Sequence, residues 1–132
     1  MSQRNSTLIV MVGLVPATIF FASGAARADD AGAKLFETCR ACHTLDPAVK
    51  GMAGPNLSGL LRRRIAGDKE FDYSPVLRQV AVTGAVWTRE RLEIFLSDPE
   101  AMFPAMWMSS KPMRDPAERK ALADFLADPK SR

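Results

Sequence analysis

Histidine occurs once in these 132 residues, tyrosine once, and cysteine and tryptophan twice each. A lone histidine excludes any site in which two imidazoles of one chain hold the same metal. Two cysteines and one histidine also fall short of the four ligands of a structural zinc site. No stretch alternates apolar and polar residues as a strand would, and there is no internal repeat or low-complexity tract. Without a βαβ pattern, a thioredoxin-like reading of paired cysteines has no context. The longest apolar run, residues 8–21, is short of the roughly 20 residues that a membrane span needs.

What is present is concentrated in Cys39-Arg40-Ala41-Cys42-His43. Two thiols at i and i+3 followed at once by an imidazole is the attachment signature of a c-type haem. On one helical turn, i and i+3 share a face, so both sulfurs reach the vinyl groups on one porphyrin edge. His43 then meets the iron from the proximal side. A plain Cys39–Cys42 disulfide would leave His43 without a role. One haem c, bound through Cys39 and Cys42, is therefore the expected cofactor.

The N-terminus supports that reading. Residues 1–6 carry Arg4 and no acid, residues 8–21 are apolar, and Ala26-Arg27-Ala28 places small residues where a signal peptidase reads. Residues 1–28 are expected to be a cleaved secretory signal, with residues 29–132 forming one domain and no stable membrane insertion after cleavage. Export to the periplasm matches covalent haem, which is attached outside the bacterial cytoplasm. Arg4 and Arg27 leave with the signal, so 16 of the 18 basic residues face 15 acidic ones and the net charge falls from +3 to +1. So small a surplus gives no basis for nucleic-acid binding. A domain of this size buries a modest core, and a bound haem would supply its missing centre.

Helix signals are short and scattered. Residues 32–39 form an expected helix that runs into the haem motif. Residues 44–57 are loop-like, with Pro47, Gly51, Gly54 and Pro55 as breakers. Residues 62–69 are polar and expected as an exposed loop, with Arg63 turned inward. Ser74-Pro75 opens a helix to Val82, Ser74 as N-cap and Pro75 at the first helical position. Thr88 caps a helix over 89–97, with Leu92, Phe95 and Leu96 on one face. Asp98-Pro99 ends it, and residues 100–113 read as irregular. Asp115-Pro116 opens the last helix, over 116–127, with Ala121, Leu122, Phe125 and Leu126 as its buried stripe.

The second side of the iron needs another donor. Met102, Met106, Met108 and Met113 all lie late in the chain, so any of them could cross to the opposite haem face. A thioether there raises the reduction potential. An open sixth position is the competing reading, and spacing alone does not choose.

Several further stretches occur in a telling order: Thr44 after the haem motif, Gly54-Pro55-Asn56-Leu57, Gly59-Leu60, Phe71-Asp72-Tyr73-Ser74-Pro75, Trp87 ahead of a helix, Asp98-Pro99, Pro104 four residues before Met108, Glu118-Arg119 and Phe125. In this the chain resembles the class I c-type cytochromes, especially small soluble bacterial forms similar to mitochondrial cytochrome c. The resemblance covers nearly all of residues 29–132. It implies an all-α, single-domain class I cytochrome c fold, with short helices wrapped around one covalent haem. It implies Met108 as the axial ligand opposite His43, with Met106 as the alternative. It implies that the Pro55 carbonyl accepts the His43 N–H, and that Arg63, Tyr73 and Trp87 hold the inner haem propionate. It also implies that Gly32 and Phe36 pack against Leu122 and Phe125.

The implied function is that of a monohaem carrier, not an enzyme. It would shuttle single electrons between redox proteins as a monomer, by Fe(III)/Fe(II) cycling. The alternatives are a haem-based ligand binder or weak peroxidase with a labile sixth ligand, and an electron-accepting subunit of one exported dehydrogenase. Two departures from the family bear on ligand lability: Phe95 stands where a tyrosine is usual, and Met106 where a threonine is usual. At the expected docking face, Thr38, Met52, Glu100, Ala101 and Trp107 replace the lysines of mitochondrial members. An apolar contact through Met52, Met106 and Trp107 is expected there.

Overall fold

The computed structural model describes residues 25–128, with side chains from residue 30 on. The apolar run expected as a signal lies outside the described residues. The described residues form five α-helices: α1 (Ala25–Phe36), α2 (Pro75–Val82), α3 (Arg89–Ser97), α4 (Pro99–Met102) and α5 (Pro116–Ala127). No helix among the described residues is long and apolar enough to cross a membrane.

α1 is longer than the stretch 32–39 read from the sequence. Its described residues run from Ala25 and so cross the junction after Ala28. Its alanines supply the helix propensity for that extension. It then tightens into a 3₁₀ turn over Glu37–Cys39. α1 packs on α5 through Gly32, where a Cβ would strike the Ala121 carbonyl and the Phe125 Cβ. One turn on, Phe36 meets Phe125 with ring centroids 5.8 Å apart. Because Ala121 faces Gly32 with its backbone, Ala123 and not Ala121 joins Leu122, Phe125 and Leu126 as fully buried. α3 lies against the same helix, and Arg89 reaches Asp124 at 2.6 Å.

The caps follow the sequence with one exception. Thr88 accepts the Arg91 N–H at 3.1 Å and Asp115 accepts the Ala117 N–H at 2.8 Å. Ser74 stands at the N-cap position of α2, but its hydroxyl makes no cap bond. Asp98-Pro99 ends α3 as expected and also starts α4, with the Asp98 carboxylate accepting from Ala101 at 3.0 Å. Residues 100–113 are therefore not wholly irregular. A proline at the first helical position costs no hydrogen bond, so the same dipeptide stops one helix and opens the next.

Residues 62–69 are more enclosed than their polarity suggests. Ile65 is buried, and Arg63 and Asp68 are half-buried. An isolated antiparallel bridge between Arg64 and Val86 holds this loop to the segment before α3. Around it, Arg62 donates to the Trp87 carbonyl at 2.8 Å and the Trp87 N–H donates to the Arg63 carbonyl at 2.9 Å. Trp87, Phe95 and Phe103 form an aromatic cluster, with Trp87 5.2 Å from Phe95 and 6.3 Å from Phe103.

Candidate functional site

The haem motif sits on one tight turn. Cys42 and His43 both donate backbone N–H bonds to the Cys39 carbonyl, at 3.1 and 2.9 Å. This turn brings the two thiols to one side, both free, Cys39 half-buried and Cys42 exposed. Burial raises the Cys39 thiol above its ordinary value, offset in part by its contact with Thr38 and reinforced by Cys42.

The 50s loop is laced to this turn. Gly54 donates to the Cys42 carbonyl and Leu57 to the Thr44 carbonyl, both at 2.8 Å. The lacing lays Gly54 flat on the His43 ring, where a Cβ would stand 2.7 Å from Nδ1 and 2.9 Å from Nε2. It also carries the Pro55 carbonyl to 2.8 Å from His43 Nδ1. A carbonyl cannot donate, so Nδ1 carries the proton and Nε2 keeps a free lone pair for a metal.

A second group of residues lies beyond Pro55. Arg63 Nη2 donates to the Asn56 carbonyl at 2.6 Å and Nη1 to the Ser58 carbonyl at 3.4 Å. The Tyr73 hydroxyl accepts the Asp68 N–H at 3.4 Å. Burial raises the Tyr73 phenol above its ordinary value. The Asp68 backbone contact and the Arg63 charge lower it in part, and the Asp68 charge adds to the rise. Trp87 joins this group through its backbone bonds to Arg62 and Arg63. Arg63 Nε and Ser74 Oγ are both buried and have no partner. Orphaned buried polar groups are costly in an interior, and a carboxylate within reach of either would satisfy it. A haem propionate fits that need.

Ser74 was missed by sequence reasoning because the Ser-Pro pair already gave its hydroxyl a role as N-cap. The unmade cap bond is the signal, and it is visible only in the structure.

Met108 comes from the loop after α4 and is half-buried against the hydrophobic core. The turn before it holds Ala105 at φ 61°, a left-handed conformation, and the Glu100 carboxylate accepts the Ala105 N–H at 2.9 Å. Met106 is buried, 8% exposed, and so is not part of an exposed docking patch. Trp107 is 60% exposed, with the Arg78 guanidinium 6.0 Å from its ring centroid.

Over 95 residues the chain is 33% identical to cytochrome c2 of Agrobacterium tumefaciens, covering 72% of this chain and 86% of that protein. The chain belongs to the class I c-type cytochromes. No family model matches it. Cytochrome c2 of Rhodospirillum rubrum is 36% identical over 88 residues, 64% of this cytochrome and 65% of the relative. The solved structure of cytochrome c2 from Rhodospirillum centenum superposes with a TM-score of 0.69 at 28% identity, covering 74% of this chain and 94% of that one. The expected all-α fold is accordingly that of this cytochrome, and its cofactor is a covalently attached haem c. Its function is monohaem electron transfer.

Proposed function

We propose that this cytochrome works in the periplasm as a soluble monomer, residues 29–132, passing single electrons between two redox proteins and catalysing no reaction of its own. Cys39 and Cys42 bind the haem, and His43 and Met108 are its axial ligands. The bound haem supplies a one-electron store.

The protein does the rest. Gly54 and Pro55 fix the orientation of the His43 ring, and the Pro55 carbonyl makes its Nε2 a stronger donor. Arg63 Nε, Ser74 Oγ, Tyr73 and Trp87 hold the buried propionate. The Trp87–Phe95–Phe103 cluster excludes water. Met108 is supplied by a loop whose turn is tied by Glu100. The observation that carries this reading is the 2.8 Å contact of His43 Nδ1 with the Pro55 carbonyl, which leaves Nε2 with a lone pair available to a metal.

A reduced-minus-oxidised visible spectrum with a redox titration tests it. A low-spin c-type spectrum and one single-electron wave are expected. Carbon monoxide binding to the reduced protein at neutral pH would instead favour the ligand binder or weak peroxidase with a labile sixth ligand.

A further inference from the structure

One peptide group stands between the proximal histidine and a carboxylate. The carbonyl of the Pro55–Asn56 peptide accepts from His43 Nδ1 at 2.8 Å, and the N–H of the same peptide donates to Asp68 Oδ2 at 3.0 Å. The other oxygen of Asp68 accepts the Glu70 N–H at 3.0 Å. The chain of contacts runs carboxylate, amide, imidazole, without a break. Asp68 itself is held in place, since its own N–H donates to the Tyr73 hydroxyl and its side chain is half-buried.

A charged acceptor on an amide N–H makes a shorter, stronger bond than a neutral one. It draws the amide's electron density towards the carbonyl oxygen, and hydrogen bonds in such a series strengthen one another. A more basic carbonyl pulls harder on the Nδ1 proton. The imidazole then gives more electron density through Nε2, which favours ferric over ferrous iron.

We propose that Asp68 is a positioning residue that lowers the haem's reduction potential through the Pro55–Asn56 peptide. This rests on His43 as an axial ligand. Asp68 is linked to His43 through this one peptide, and the polar stretch around it reads from sequence as solvated loop. Arg63 sits on the far side of Asn56, bonded to its carbonyl, and is the cation nearest this path by contact.

The test uses the haem-loaded protein and three variants, Asp68→Asn, Asp68→Glu and Glu70→Gln. Each is followed by redox titration and by the proton resonance of His43 Nδ1–H in the ferrous state. Asp68→Asn should shift the ferrous-to-ferric ratio upward at fixed poise, on the order of threefold or about 30 mV on the one-electron scale. Its His43 Nδ1–H resonance should move to higher field as that bond weakens. Asp68→Glu should restore both readouts. Glu70→Gln removes an equal charge two residues away and should leave the resonance in place. Asp68→Gln serves as the neutral variant if Asp68→Asn does not load haem. An unmoved resonance in the neutral Asp68 variant, or an equal shift in Glu70→Gln, overturns the proposal. A native protein without a low-spin, histidine-bound spectrum overturns the ligand assignment itself, a result the native sample alone reveals.

Discussion

Gly54 lies against the His43 ring so closely that a Cβ at position 54 would stand 2.7 Å from Nδ1. The glycine is there for space, because its φ is not among the positive ones. Gly54→Ala must push the ring or the loop, and forced overpacking of this kind costs about 1–3 kcal/mol. Denaturant unfolding of the haem-loaded variant should show that loss. The proximal His43 Nδ1–H resonance should move with it, since the Pro55 contact shares the loop.

Ser74 offers a test with opposite signs for two outcomes. Its hydroxyl is buried and has no protein partner. If a propionate satisfies it, Ser74→Ala removes a real hydrogen bond to a charged group and should cost about 1.5–3 kcal/mol in the haem-loaded protein. If nothing satisfies it, the same change removes an unpaired polar group and should be neutral or stabilising. Thermal melts of the two proteins decide between them.

Tyr73 predicts an alkaline weakness. Burial raises its phenol above the ordinary 10.0, so the folded state holds the proton longer than the unfolded chain does. Stability from this group is intact below pH 10.0 and is lost as pH rises through the raised folded value. Stability measured from pH 8 upward should therefore fall less steeply in Tyr73→Phe than in the native protein.

Trp107 is expected to govern encounter. It is 60% exposed beside the proposed ligand Met108, where a lysine would give a positive field. Contact through an apolar ring gives slow association with weak salt dependence. Electron self-exchange, measured by NMR line broadening, should vary little with ionic strength. Trp107→Lys should slow it at low salt through like-charge repulsion and make it salt-sensitive.

The haem-attachment motif was legible because it is written in local spacing, whereas Met108, Pro55, Arg63, Tyr73 and Trp87 stood out only through the family resemblance. Cys39, Cys42 and His43 lie on one turn, and residue i, i+3 geometry needs no tertiary information. Proline at the first helical position marked the starts of α2 and α5 correctly, for the same reason. What the sequence hid was dual use. Asp98-Pro99 both stops α3 and starts α4. Ser74 has the position of a cap while its hydroxyl turns inward. Met106 is expected on the docking face, yet the left-handed turn at Ala105 precedes it and it packs on the core. Asp68 reads as solvent-facing until a long-range contact, twelve positions back at Asn56, gives it a partner. Charge and hydropathy are local quantities, and a pairing such as that of Asp68 with Asn56 is distant in the chain.

One haem held between His43 and Met108 would leave its mark on the near-infrared spectrum of the ferric, haem-loaded protein. The sulfur-to-iron charge-transfer band should be present in the native protein and in Met106→Ala, and absent in Met108→Ala, which should turn high-spin. A band that survives Met108→Ala, or a native ferric iron that is already high-spin, would rule out Met108 as the ligand opposite His43.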